Sequence, residues 1–446
     1  MELHELTVTQ AAEQIRRREL SPVELAEALL KRIDALEPQI LAWETVDREG
    51  AIAAVRKCEA AAGKDDAGPL LGVPLGVKDI FYTAGLRTTS GSPLYKDFVP
   101  DHDATSVARL RKAGAVILGK TVTVQFAHFD PPRTRNPWNQ ERTPGGSSSG
   151  SAAGVAARMM PAALGSQTGG SVVRPAAYCG VVGLKPSYGR VSRYGVMPAS
   201  WSLDHIGVLA RSVEDAGLLL QLMAGHDPKD PASARTAVGD FVGAARRKKK
   251  APTVGFVPDY LENAQPEVAE HVRGMAAKFE RDGASVREVH FPVPMQDLLA
   301  IRAVIGEVEA AGLHAYNLRD HPEGYSPAIQ AEAEVGQLVP GFAYIHAQRL
   351  RRHLRPQVER MLDGIDVLLM PSTSDVAPDP STTGRNHFQA PWSLFGFPSI
   401  SLPSGLSRER LPLAVQLVAA PFREETLLTA AAWVEAELGP MPSPIS

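Results

Sequence analysis

The sequence is short of most features that would place it in a specialised class. Only two cysteines, Cys58 and Cys179, occur in 446 residues, too few for a disulfide framework and outside the Cys/His spacing of a zinc site. No apolar run approaches the ~20 residues of a membrane span. The opening Met1-Glu2-Leu3-His4-Glu5 lacks the basic and apolar regions of a secretory signal. Charge of one sign is also missing: 47 Lys and Arg stand against 50 Asp and Glu, a net charge of −3, so bulk attraction to nucleic acid is not expected. Neither an HExxH helix nor a Ser-x-x-Lys pair occurs. These absences leave the expectation of a soluble, cytoplasmic protein in a reducing compartment, with no membrane, nucleic acid, metal or cofactor among its partners.

What is present is concentrated in glycine and serine. Gly145-Gly146-Ser147-Ser148-Ser149-Gly150-Ser151 and Thr168-Gly169-Gly170-Ser171 each set serines behind paired glycines. Lys78 ends the apolar run Gly72-Val73-Pro74-Leu75-Gly76-Val77. One lysine and two glycine-flanked serines suggest a relay in which lysine, rather than histidine, activates a hydroxyl nucleophile.

Around these motifs the pattern is α/β. Ser21-Pro22-Val23-Glu24 opens a helix carrying Leu25, Leu29, Leu30, Ile33 and Leu36 ahead of Pro38, and Thr7 with Gln10 caps a shorter one before it. From residue 70, short apolar runs alternate with helices: strands over 71–80, 115–118, 253–257 and 365–371, helices over 105–113, 268–279 and 305–318. Ser149 to Met160, rich in Ala, Ser and Gly, reads as a packed core helix continuing into Ala162-Ala163-Leu164. The basic run Arg246-Arg247-Lys248-Lys249-Lys250 reads as a solvated loop.

Two motifs mislead. Gly114-Ala115-Val116-Ile117-Leu118-Gly119-Lys120-Thr121 satisfies the P-loop pattern, yet its intervening residues are apolar and partly β-branched, and are themselves a strand rather than a phosphate cradle. Gly146-Ser147-Ser148-Ser149-Gly150 matches the nucleophile elbow, but polar Asn139-Gln140-Glu141-Arg142-Thr143-Pro144 precedes it where an apolar strand is required.

From about residue 65 to 215 the chain resembles the amidase signature family. The stretches that carry the likeness are Gly76-Val77-Lys78-Asp79, Thr143 to Ala153, Gly165 to Ala176, Gly183 to Ser192 and Ser202 to Gly207, with a weaker echo at Phe395 to Pro403 and Pro412 to Leu417. The resemblance implies one large domain over residues 1–446, with a mixed, largely central β-sheet covered by helices on both faces. Its family-like parts would be 65–215 and 360–430, and its variable segment about 230–360. It further implies an amidohydrolase with Ser171 as nucleophile, Ser147 as a bridging serine in a cis peptide and Lys78 as base. A lysine can serve so only when neutral, which requires burial to lower its pKa by about three units.

Backbone N–H groups of Thr168, Gly169, Gly170 and Ser171 are expected to form the oxyanion hole, and Ser148 to support the serines. Phe126, His128 and Trp201 are the candidate pocket residues; Arg174, Asp204 and Asp79 are expected to serve structure. The family usually has aspartate where this chain has Gln167. The ammonia-generating glutaminase subunit of tRNA-dependent amidotransferases is the alternative reading. Its Tyr-Asp-Gly-Val-Arg-Tyr-Gly type run is not visible, and His387-Phe388-Gln389 stands where its C-terminal aspartate would be, so a free-standing amidase acting on a small-molecule amide is favoured. A homodimer is left open.

Overall fold

A computed structural model describes residues 2–61, 68–247 and 250–445. The part of the family-like core at 65–67, and Lys248 and Lys249 of the basic run, lie outside the described residues. Eleven strands form one sheet: β1 (Trp43–Val46), β2 (Pro74–Lys78), β3 (Val116–Thr121), β4 (Ala162–Gln167), β5 (Val182–Lys185), β6 (His205–Ala210), β7 (Thr253–Phe256), β8 (Ser285–Glu288), β9 (Val367–Pro371), β10 (Ser399–Leu406) and β11 (Pro412–Val418). Their order is β1-β3-β2-β4-β6-β5-β10-β11-β9-β7-β8. β2 runs parallel to both β3 and β4, β7 runs parallel to β8 and β9, and the other pairs are antiparallel. The expected mixed α/β architecture is thus the one found.

Successive side chains of a strand point to opposite faces, so a strand with every residue buried must be covered on both. β2, β3, β4, β5, β6, β9 and β11 are all of this kind. The P-loop lookalike is the strand β3, with Lys120 inside it and buried.

The helices start where their caps dictate. Thr7 and Gln10 form a reciprocal capping box, and Ser21 Oγ accepts from the Val23 and Glu24 N–H groups at 3.1 and 3.4 Å, contributions of about 1 kcal/mol each. The helix from Pro22 continues through Pro38 to Ile40 and ends on Leu41 in the left-handed region. The core helix from Ser149 stops at Ala156, and Arg158 at φ 60 turns the chain so that Ala162-Ala163-Leu164 opens β4 instead of extending the helix. Beyond the sheet, the 26-residue helix Met295–Asp320 packs on the helices Pro327–Leu338 and Gly341–Glu359. Among the described residues no helix is long and apolar enough to cross a membrane.

Candidate active site

β2 lies between β3 and β4 and delivers Lys78 to its end, with no exposure to solvent. The Lys78 Nζ lies 2.8 Å from Ser147 Oγ and 2.8 Å from Ser166 Oγ. Burial pulls its pKa down to about 7; the negative charge of Asp204 opposes this, and the Arg174 guanidinium adds to it. A substantial fraction of the amine is therefore neutral near physiological pH, the state in which it can accept a proton.

Ser147 is presented by a turn that only glycine can make. Gly145 has φ 77, and a Cβ on it would stand 2.9 Å from Pro175 Cα. The Gly146–Ser147 peptide is cis. Arg174 donates to the Gly146 carbonyl from Nη2 at 2.6 Å and from Nε at 3.2 Å, fixing the turn against the helix Val173–Cys179. Ser148 faces β4: its hydroxyl donates to Ser166 O and accepts from Ser166 N, each at 3.3 Å. Ser148 thus holds the backbone of the residue that touches Lys78.

Ser171 lies in the turn between β4 and the helix Val173–Cys179, almost buried. Gln167 shapes that turn. Its Oε1 accepts from Val172 N at 2.9 Å and Val173 N at 3.0 Å, while its Nε2 donates to Ser393 Oγ at 3.1 Å. Ser393 in turn donates to Gly169 O at 2.9 Å. An aspartate could accept as Gln167 does but could not make the donation to Ser393. Among the described residues, the N–H groups of Gly169, Gly170 and Ser171 are not engaged by any other protein group, and the Ser171 hydroxyl makes no hydrogen bond to the protein. Thr168 is fastened by its Oγ1, which donates to Asp204 Oδ1 at 2.6 Å. Asp204 Oδ2 accepts from Ala199 N and Ser200 N at 2.8 and 3.0 Å. Burial raises the Asp204 pKa, and these bonds oppose the rise.

Two cavities meet at this point. One of about 260 Å³ is lined by Thr168, Gly169, Gly170, Ser171, Arg174 and Arg302, among others; the other, of about 240 Å³, by Ser166, Met197, Trp201 and Asp204 among others. Ala127, Thr168 and Ala199 border both. His128 lines the first, its Nδ1 2.6 Å from Glu332 Oε2. Trp201, 51% exposed, lines the second.

Phe126 belongs to neither lining, which corrects its selection as a pocket residue. It has φ 48, is 2% exposed, and stacks at 4.7 Å on His314 and 5.2 Å on Tyr325 in a small aromatic core. Three contributors are missed by sequence reasoning. Ser166 is the second partner of Lys78, signalled only by its place beside Gln167 in the polar end of an otherwise apolar strand. Arg302 and Glu332 come from helices 130 residues and more beyond Ser171 and carry no local signal. Among the described residues no group of three His, Cys, Asp or Glu side chains is arranged to hold a metal ion.

A family model described as Amidase matches residues 24–428. A glutamyl-tRNA(Gln) amidotransferase subunit from Roseiflexus sp. (strain RS-1) is 39% identical over 463 residues, spanning 96% of this chain and 95% of the relative. Among solved structures, a chain from a vestigial protein complex bearing on the evolutionary origins of an s-triazine catabolic enzyme superposes with a TM-score of 0.92 at 32% identity, covering 98% of this chain and 100% of its own. A 6-aminohexanoate cyclic dimer hydrolase does so with a TM-score of 0.87 at 32% identity, covering 98% of both chains.

Proposed function

The chain belongs to the amidase family, enzymes that hydrolyse amide C–N bonds, and we propose that in this member Ser171 is the nucleophile, Ser147 the proton relay and Lys78 the base. The observation that carries the assignment is the bond between a fully buried lysine of depressed pKa and a serine hydroxyl, Lys78 Nζ to Ser147 Oγ at 2.8 Å.

Neutral Lys78 accepts the proton of Ser147, which takes that of Ser171 as the Ser171 oxygen attacks the amide carbon. The unengaged N–H groups of Gly169, Gly170 and Ser171, with Thr168 before them, receive the developing oxyanion. The proton returns through Ser147 to the leaving nitrogen, which departs as ammonia or an amine. Water then hydrolyses the acyl-Ser171 ester by the same path. No hydrogen bond joins Ser147 to Ser171 in the resting structure, and such a contact is expected to tighten when substrate fills the cavity.

We further propose a single domain in which the 126–136 loop, the 194–202 segment and the variable region after residue 300 contribute pocket walls. The two thiols, Cys58 and Cys179, are free, which fits work in a reducing compartment such as the cytoplasm. The likeness to an amidotransferase subunit supports a second reading, ammonia release from glutamine for a partner. The two part on whether the purified chain is active alone.

The deciding experiment is labelling with a fluorophosphonate, mapped by mass spectrometry, together with assay of ammonia from aliphatic, aryl and acidic amides. Label on Ser171, lost in Lys78→Ala together with ammonia release, is the expected result. Ammonia release undiminished by Lys78→Ala overturns the relay.

A further inference from the structure

The cavity that holds Ser171 also contains a guanidinium with nothing to bind. Arg302 projects from the helix Met295–Asp320 across to the glycine turn, where its Nη2 would stand 3.4 Å from a Cβ on Gly169. Its Nε is buried without a hydrogen-bond partner, and among the described residues no bond or ion pair from any of its nitrogens to the protein is seen. An arginine fork carries five donors, and leaving them unmet beside a reaction centre is costly unless a ligand meets them.

The neighbouring carboxylates do not take up the role. Glu332 is held by His128 Nδ1 at 2.6 Å. Asp204 is occupied by Thr168, Ala199 and Ser200. Glu309 accepts from Ser200 Oγ, from Ser202 N at 2.9 Å and from Tyr344 OH at 2.9 Å. Glu332, then Glu307, Asp204 and Glu309, add negative field at Arg302 without a bond to it. The other guanidinium near the turn, Arg174, is spent on the carbonyls of Gly146 and Gly384. Arg302, Arg174 and Arg385 give the cavity three positive groups against the one carboxylate of Glu332.

We propose that Arg302 is a specificity residue that binds a carboxylate of the substrate, so that the preferred amide bears a carboxylate on its acyl portion. The planar fork suits two carboxylate oxygens at once. A site built around such donors disfavours a neutral substrate, because the fork is then left without its partner beside the bound ligand. This assignment deepens the proposed amidase reading and rests on it for the identity of the reacting bond.

The test compares succinamate with butyramide in ammonia release. The expected result is a wild-type kcat/KM ratio favouring succinamate by on the order of a hundredfold, reduced at least about tenfold in Arg302→Gln and less in Arg302→Lys. An equal ratio in wild type, or an unchanged ratio in Arg302→Gln, overturns the assignment. A second measurement needs neither turnover nor a variant: phenylglyoxal modification of Arg302 in the wild-type protein, mapped by mass spectrometry, is slowed by succinate and not by butyramide. Protection by succinate in a protein that hydrolyses no amide leaves the carboxylate site standing and removes the amidase reading. Hydrolysis of butyramide with no protection by succinate does the reverse.

Discussion

Lys78 and Lys120 sit on neighbouring parallel strands, both fully buried, and differ in what meets the amine. Lys120 Nζ is 3.1 Å from Asp79 Oδ1 and donates at 2.6 Å to Phe81 O and to Thr88 Oγ1. Burial lowers its pKa to about 8, against the pull of Asp79. Lys78 meets only hydroxyls, those of Ser147 and Ser166, and lies at about 7. A carboxylate and a carbonyl accept but cannot donate, so they favour the charged amine. A hydroxyl does both and serves either protonation state. Lys185 sharpens the point: it too is buried and brought down to about 7, yet it donates to the carbonyls of Pro186 and Phe397. A depressed pKa marks burial. What the partners can do with a proton marks a site.

Substitution should separate the two lysines. Lys78→Ala, Ser147→Ala and Ser171→Ala should each reduce amide hydrolysis by more than about 10³-fold, and combining any two should cost little more, since members of one relay act as a unit. Steady-state ammonia release checks both statements, and additive losses would show that the three act independently. Lys120→Met should do something else. It leaves Asp79 buried without its cation, a loss of roughly 3–5 kcal/mol of stability, read by denaturant unfolding, while folded molecules keep their Ser171 labelling. Loss of labelling in well-folded Lys120→Met would erase the distinction between the two lysines.

The contrast also explains what the sequence discloses. The α/β class was readable because buried strands such as β3 and β9 are apolar runs between turn residues. Lys120 could be refused a phosphate-binding role for the same reason, because Val116-Ile117-Leu118 already makes a strand. The edge strands β1 and β8 are four residues long and β8 is largely exposed, so neither leaves a periodic trace. The site was legible where glycine constrains the chain locally, at residues 145–151 and 168–171. It was not legible where tertiary packing brings distant pieces together: Arg302 reaches Gly169 from a helix whose apolar pattern reports only its own packing. Phe126 shows the opposite error. An aromatic residue beside a loop resembles a pocket wall until its left-handed backbone turns the ring toward His314 and Tyr325.

Lys78 also sets a pH dependence. The base form of Lys78 disappears as pH falls through about 7, so kcat/KM for a neutral amide should drop tenfold per unit below that value and level off above it. Stability moves in the same direction by a separate route. The folded pKa is below that of the unfolded chain, so between about 7 and the ordinary lysine value the unfolded state binds more protons, and folding gains as pH rises. An activity profile flat from pH 5 to 8 would mean that Lys78 is not the base.

Ser166→Ala should have the smallest effect and tests whether both hydroxyls on Lys78 are equivalent. Ser166 touches the amine at the same 2.8 Å as Ser147, but it lines the cavity with Met197 and Trp201 and not the one that holds Ser171. If it only solvates the lysine, its loss removes one dipole that stabilises the ammonium. The Lys78 pKa then falls further, and the acidic limb of the rate profile moves to lower pH by a fraction of a unit. The plateau should drop by no more than about tenfold, on the order of one hydrogen bond. Ser166→Thr should restore both, since it returns a hydroxyl to the amine. A loss as deep as that of Ser147→Ala, with no movement of the limb, would instead make Ser166 part of the proton path.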